Sequence, residues 1–334
     1  MPELPEVQTI VNDLKEKIIG RKIAGLWFDA PKIIKKPKPS ELEKQIKGLK
    51  IQEIKRRGKN ILIYLTTDYR LQTTAKNKKA VVGSRLAVDF LLLVHQKLTG
   101  HLLYGKWSFG KAQDKQKVIV ESLIKGTLQE KVNNYIHLIF YFDNGWQLGL
   151  SDLRKFAKVL FGPKEEIEKL PDLAKIGPEP LDKSFKVEKF IKLIKLEKRK
   201  IKQVLMDQEV IAGIGNIYSD EILWQAKIHP FRPAYKLKTY ELKNLFTAMR
   251  QILEKAIKLR GTSISDYRDT LGKSGGYAKM LKVYPVRNRV PLSGNISNGV
   301  YRREGEPCDR CKTLIKRVKI GGRSAHYCPK CQKI

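Results

Sequence analysis

The sequence predicts an α+β protein of several domains: an N-terminal β-sandwich with flanking helices, then a mainly helical domain, then a metal-bound β-hairpin finger. Three observations carry this. Residues 22 to about 162 hold short β-type runs divided by Gly, Asn and Asp turns. From about 185 the apolar period changes to that of helices. All four cysteines stand in two pairs near the C-terminus. At 334 residues the chain is long enough for two or three cores.

In chain order, "MPELPE" reads as a helix start, because Pro suits the first turn and acidic side chains suit the positive end of the helix dipole. Val7, Ile10, Val11, Leu14 and Ile18 then recur at helical spacing, giving one stripe for a core, and Gly20 ends the helix. The runs "NILIYL", "DFLLLVH", "YIHLIFYF" and "WQLGL" follow as strands of a sandwich, with a barrel left open by the pattern, and "FDNGW" signals a hairpin of the Asn-Gly kind. The Pro-rich, charged stretch 163–184 reads as a linker, so that 1–162 forms the first domain. "FKVEKFIKLIKL", "RKIKQVLMDQ", "NIYSDEILWQA" and "TYELKNLFTAMRQILEKAIKLRG" make 185–284 helical. In 301–334, "IKRVKI" and "SAHYC" flank "GGR", a hairpin with Arg323 at its turn. Two polar stretches, 71–88 and 285–300, read as inserted loops.

Sixty-seven Lys and Arg against 34 Asp and Glu leave a net charge of +33, a field that attracts polyanions, with nucleic acid the leading partner. Charge alone leaves membrane or ribosome surfaces open. No apolar run is of spanning length and no signal-peptide pattern opens the chain, so a soluble, cytoplasmic protein is expected. Cys308, Cys311, Cys328 and Cys331 follow a C-x2-C-x16-C-x2-C spacing that suits one structural zinc ion; two disulfides are the alternative.

"MPELPEV", "RRGKN", "SDLRKFA", "IGPEPL", "LMDQEVIAGIGNIYSDEILWQAKIHP" and the four-Cys tail occur in that order. Together they closely resemble the formamidopyrimidine-DNA glycosylase family, bacterial 8-oxoguanine repair enzymes of the helix-two-turn-helix class. The resemblance covers essentially the whole chain apart from the two insertions. It implies a bifunctional glycosylase and abasic-site lyase acting on damaged double-stranded DNA as a monomer in the bacterial cytoplasm and nucleoid. It implies that Met1 is removed and that the Pro2 amine attacks C1′ of the damaged nucleotide, with Glu3 as general acid and base. An amine can form an iminium with a sugar aldehyde carbon, and a neighbouring carboxylate suits proton transfer. Glu6 matches an acidic position near that site, with a helix-dipole role equally open.

Lys59 resembles the lysine that contacts the lesion's phosphate and assists catalysis. Arg323 would grip the same backbone with its fork of donors and joins the catalytic set. Asn216, where a Gly-bearing turn opens a helix, would hold phosphate with its backbone and side chain, although an ordinary N-cap remains open. Arg154 and Phe156 resemble the Arg that faces the orphaned cytosine and the aromatic wedge; Leu98, in "HQKLTG", stands where the family usually has Met. His95 in the same motif is assigned no chemistry. Residues 260–280 correspond to the loop that covers the flipped base within the helix-two-turn-helix domain. Two other readings remain: an oxidised-pyrimidine glycosylase similar to endonuclease VIII, from which Leu4 and "LRKF" depart, and a catalytically silent damage-binding protein.

Overall fold

The computed structural model describes residues 2–67, 89–111, 118–264, 266–284 and 304–334. The stretches 71–88 and 285–300, read as insertions, lie outside the described residues. The chain opens with α1 (Leu4–Ile18) and continues through β1 (Ile23–Phe28), β2 (Ile34–Lys36), α2 (Pro39–Ile46), β3 (Lys50–Arg57), β4 (Asn60–Thr66), β5 (Phe90–His95) and β6 (His101–Gly105). Then come β7 (Trp107–Lys111), β8 (Val118–Ser122), β9 (Ile136–Phe142), β10 (Gln147–Ser151) and β11 (Lys158–Pro163), which complete the β region. Helices α3 (Lys164–Glu168), α4 (Pro171–Ala174), α5 (Val187–Lys195), α6 (Ile201–Met206), α7 (Asn216–Gln225) and α8 (Thr239–Lys258) precede the hairpin β12 (Lys316–Ile320) and β13 (Arg323–Tyr327).

The β region is a sandwich, which settles the choice against a barrel. One sheet has the order β1-β9-β10-β6 and the other β2-β11-β5-β4-β3. All pairs are antiparallel except β2 with β11. The sheets enclose one core, where Ile61, Ile63 and Leu65 of β4 meet Leu138, Phe140 and Phe142 of β9. The α1 stripe of Val7, Ile10, Val11, Leu14 and Ile18 enters the same core fully buried. As the Asn-Gly signal predicts, β9 turns into β10 through Gly145 at φ +74°, with Phe142 N–H donating to the Trp146 carbonyl (2.9 Å).

Strand β4 is buried along its whole length, because alternation puts Leu62 and Tyr64 on the opposite face, where a second cluster covers them. That cover comes from 163–184. The stretch read as a linker contains α3 and α4, whose Ile167 and Leu173 pack on Leu62, Leu91, Leu93 and Leu160. Its proline and charge content hid these two anchoring residues, which Leu170 and Ile176 join at the edge of the cluster.

Helices α5 to α8 build a separate apolar cluster around Phe190, Leu205, Tyr218 and Leu253. Leu4 belongs to this cluster although the rest of the α1 stripe belongs to the sandwich, so a single helix is shared by two cores. The finger rests on the end of α7, where Trp224 packs with Val283, Ile315, Cys308 and Cys328, and the Arg310 guanidinium lies 3.7 Å above the Trp224 ring. A buried ionic cluster completes the join. Asp220 of α7 accepts from the backbone N–H of His326 (3.0 Å) and from Lys202 Nζ, and Lys202 also reaches Ser219 Oγ at 3.2 Å.

Lys202 and Asp220 are almost wholly removed from solvent. Removing one partner leaves a buried charge without compensation, so Lys202→Met is expected to destabilise the protein by about 3–5 kcal/mol. Chemical denaturation measures this; a loss below about 1 kcal/mol, as for an exposed pair, would show that water reaches the cluster.

Candidate functional site

The first turn of α1 meets the start of α7. Glu3 Oε2 accepts from Gly215 N–H (2.6 Å) and Tyr218 N–H (3.4 Å), and Oε1 from Ile217 N–H (2.9 Å). A carboxylate therefore occupies the positive end of that helix. The amides on either side of Asn216 thus serve Glu3. The Asn216 side chain places Nδ2 3.3 Å from Tyr284 Oη, and its Oδ1 is buried without a partner among the described residues. The glycines of "GIGN" make the approach possible. A Cβ on Gly215 would stand 2.4 Å from Glu3 Cδ, and one on Gly213, at φ +86°, would stand 2.7 Å from Leu4 Cβ. Gln208 braces this turn by accepting from Gly213 N–H (2.9 Å) and donating to the Ile214 carbonyl (2.8 Å).

Beside Glu3, Pro2 is buried. One turn on, Glu6 is buried too and accepts from Glu3 N–H (2.7 Å), Thr262 N–H (2.7 Å) and Tyr218 Oη (2.6 Å). Burial pushes the Glu6 carboxyl up to about 7, and the Glu3 charge adds to the rise. Glu6 thus ties α1, α7 and the segment after α8 together, more than a dipole partner would.

Lys59 follows the tight turn at Gly58 (φ +57°), which Glu179 of "IGPEPL" fixes by accepting from Gly58 N–H (2.6 Å) and pairing with Arg56 (2.6 Å). Burial holds the Lys59 ammonium below the ordinary lysine range; Glu3 and Glu6 oppose that effect and Arg323 adds to it. Arg323 is exposed and begins β13 after Gly321 and Gly322, both at positive φ as a type I′ hairpin requires.

Glu3, Lys59, Leu98, Phe156, Asn216 and Arg323 line one cleft of about 910 Å³. Arg154 is exposed outside that lining, on the turn that presents Phe156, itself 55% exposed. Asp152 builds this turn: it accepts from Ala157 N–H (2.7 Å), Arg154 N–H (3.3 Å) and the Thr99 hydroxyl. The Thr99 link places the Leu98 loop and the Phe156 turn side by side. His95 borders the cleft as a neutral ring, held down to about 3 by burial with Lys97 and Lys59 adding to the effect. It accepts from Lys97 N–H at 3.0 Å, in keeping with a structural part.

Sequence reasoning missed Lys32, Lys35, Lys97 and Lys155, which make the cleft strongly cationic, and Gln208 and Tyr284. Lys97 and Lys155 stand inside "HQKLTG" and "LRKF" but were not singled out there, and Lys32 and Lys35 carry no motif, so that only the high net charge hinted at them. No described residue of 260–280 lines this cleft. Among its described residues, Thr262 rests on Glu6, Thr270 on Asp13 (2.8 Å) and Leu271 on Thr127 (2.6 Å), which seats the segment over α1 and the sandwich.

At the finger, the Sγ atoms of Cys308, Cys311, Cys328 and Cys331 lie within 4.8 Å of one another, with separations of 3.4 and 3.9 Å among them, and all four thiols are free. Zinc–thiolate bonds of about 2.3 Å in a tetrahedron require sulfurs roughly 3.8 Å apart, so the set fits one zinc ion and not two disulfides.

The Glu6 proton yields a stability prediction. Folding raises this carboxyl from 4.5 to about 7. The folded state therefore binds more protons between those values, and the associated stability is complete below 4.5 and lost as pH rises through 7, on the order of a few kcal/mol. Glu221, also pushed up to about 7 by burial, contributes a second share of the same sign. Glu6→Gln is expected to flatten the decline between pH 5 and pH 8 in denaturant unfolding; an unaltered decline would locate the titration elsewhere.

Residues 1–159 match the family model described as the formamidopyrimidine-DNA glycosylase N-terminal domain, 176–268 the H2TH domain of the same enzymes, and 305–334 the zinc finger found in FPG and IleRS. Formamidopyrimidine-DNA glycosylase of Pelotomaculum thermopropionicum is 34% identical over 334 residues, covering 100% of both chains, and that of Bacillus cereus is 32% identical, covering 99% of each. Among solved structures, Lactococcus lactis Fpg with abasic-site DNA aligns at a TM-score of 0.74 and 30% identity, covering 99% of this chain and 100% of that one. MutM in complex with carbocyclic 8-oxo-G DNA gives 0.74 and 30%, covering 100% of both. By sequence over its whole length and by its fold, the chain belongs to the formamidopyrimidine-DNA glycosylase family.

Proposed function

We propose that this chain is a DNA glycosylase of base excision repair that removes oxidised purines from duplex DNA and then, as a lyase, cleaves the strand at the emptied site through an iminium on Pro2. The observation that carries the reading is Glu3 in the wall of a strongly cationic cleft, with the buried Pro2 its neighbour in the chain, since a proton carrier and phosphate-binding groups converge there next to the amine.

With Met1 removed, the Pro2 nitrogen attacks C1′, the bond from C1′ to the base breaks, and the base leaves with that electron pair and takes up a proton from water. Glu3 takes the proton from the amine and delivers it to the ring oxygen, which opens the sugar and leaves the iminium. Abstraction of a C2′ proton expels the 3′ phosphate, and a further elimination expels the 5′ phosphate. Water then returns the free amine. The amides of Gly215 and Ile217 hold Glu3 beside Pro2 throughout. Lys59, Asn216 and Arg323 bind the backbone around the lesion, and Arg323 takes part in the catalytic set by holding the phosphate next to the reacting sugar. Phe156, Leu98 and Arg154 fill the gap that the extruded base leaves, with Arg154 toward the orphaned cytosine. Zinc, held by the four cysteines, supplies structure alone: it fixes the finger that carries Arg323.

Among the described residues no helix is long and apolar enough to cross a membrane. The bacterial relatives support action in the cytoplasm, where the chain would work as a monomer on nucleoid DNA.

Borohydride should trap the protein on an 8-oxoguanine:cytosine duplex, with the adduct mapped to Pro2. An N-terminal extension that blocks the amine should abolish trapping while leaving duplex binding largely intact. Efficient trapping through a lysine in the blocked protein would overturn the assignment. Chelation of zinc should weaken duplex binding, and Arg323→Ala should lower the log-log salt slope by roughly one unit. An unchanged slope would make Arg323 a free surface residue.

A further inference from the structure

A second groove, of about 670 Å³, lies on the helical domain between the segment entering α5 and one side of α8, and shares no lining residue with the cleft. Lys183, Lys186, Lys243 and Arg250 line it against a single carboxylate, Glu188. None of the three lysines is ion-paired with an acidic side chain of the described residues. Arg250 donates to the Asp182 and Leu181 carbonyls (3.2 and 3.3 Å), which fixes its guanidinium but leaves its charge without a bonded carboxylate. The nearby Asp182 carboxylate is taken by Ser184, accepting from its N–H and hydroxyl at 2.8 Å each.

The floor is apolar. Phe246 is partly buried there, with Phe185 and Phe190 at 5.9 and 5.3 Å between ring centroids and the Arg250 guanidinium 5.6 Å from its own. Single-stranded nucleic acid is held by stacking bases on open aromatic faces. The Phe246 ring is clasped by two aromatic neighbours and an arginine, so it offers an apolar edge to a side chain and no free platform to a base. A concave slot with an apolar floor and a rim of unpaired cations matches a segment that is acidic and carries an apolar side chain.

We infer that this groove is a docking site for an acidic segment of another protein, with an apolar side chain seated against Phe246 and carboxylates on Lys183, Lys186, Lys243 and Arg250. Rim pairs of this kind raise the association rate and are screened by salt, so the contact is transient and separate from lesion recognition.

The test uses the full zinc-loaded chain and a short fluorescein-labelled peptide of aspartates and glutamates with one central phenylalanine, followed by fluorescence anisotropy. The Lys186→Glu, Lys243→Glu double variant is expected to bind it at least about tenfold more weakly, each reversal removing one attraction and adding a repulsion. That variant should retain cleavage of a lesion duplex. Replacing the peptide's phenylalanine by serine should weaken binding several-fold. Lys32→Glu with Lys35→Glu, which alters the cleft, should leave peptide affinity unchanged. Equal binding by the wild type and the Lys186/Lys243 variant would overturn the inference. So would binding indifferent to the phenylalanine and lost on adding an undamaged duplex, which would make the groove a phosphate-binding surface.

Discussion

The seat of the Glu3 carboxylate on the first amides of α7 is the contact on which the rest of the molecule depends. It joins residues more than two hundred positions apart, with Gly215 N–H donating at 2.6 Å across a separation of 212. A charged side chain with only 2% exposure needs its hydrogen bonds met within the protein, and the start of a helix offers donors that its own ladder leaves free. One arrangement meets both needs. It also forces Leu4 into the helical core while the following α1 residues stay with the sandwich, so the two apolar clusters are held in register by a single element.

Helix α7 extends this logic along its length. Its first amides hold Glu3, Asp220 holds the finger through His326, and Glu221 accepts from the backbone of Lys282, Val283 and Tyr284 at 2.8 to 2.9 Å. Three acidic side chains at α7 are buried, each met by donors from a different part of the chain. Such groups add little net stability compared with apolar residues of equal size, but they tolerate few alternative arrangements. Specific placement of Pro2, Asn216 and Arg323 is what this network provides.

The elements that sequence made legible are those governed by local rules. The α1 stripe, the Asn-Gly hairpin, the Gly-Gly turn before Arg323 and the paired cysteines each depend on residues within a few positions, and each is found in the fold. The parts that were not legible depend on distant partners. Nothing near Ile167 or Leu173 announces the outer face of β4 that they cover, and nothing in "GIGN" says that the Gly215 amide serves Glu3. The lysines of the cleft were hidden by their abundance, because a chain with 67 Lys and Arg gives no local cue to which of them converge.

Sharing one helix between two cores has a consequence for the order of synthesis. The ribosome delivers Glu3 and Leu4 first and Gly215 to Tyr218 some 212 residues later. At roughly 5–20 residues per second that interval is on the order of 10 to 40 seconds. The last sandwich strand, ending at Pro163, is made within it, but until its end the first turn of α1 has neither its amides nor its apolar pocket. The nascent chain therefore carries Pro2, the proposed nucleophile, long before it carries a complete centre. Chemistry at a reactive N-terminus is withheld until the domain that seats it has been made.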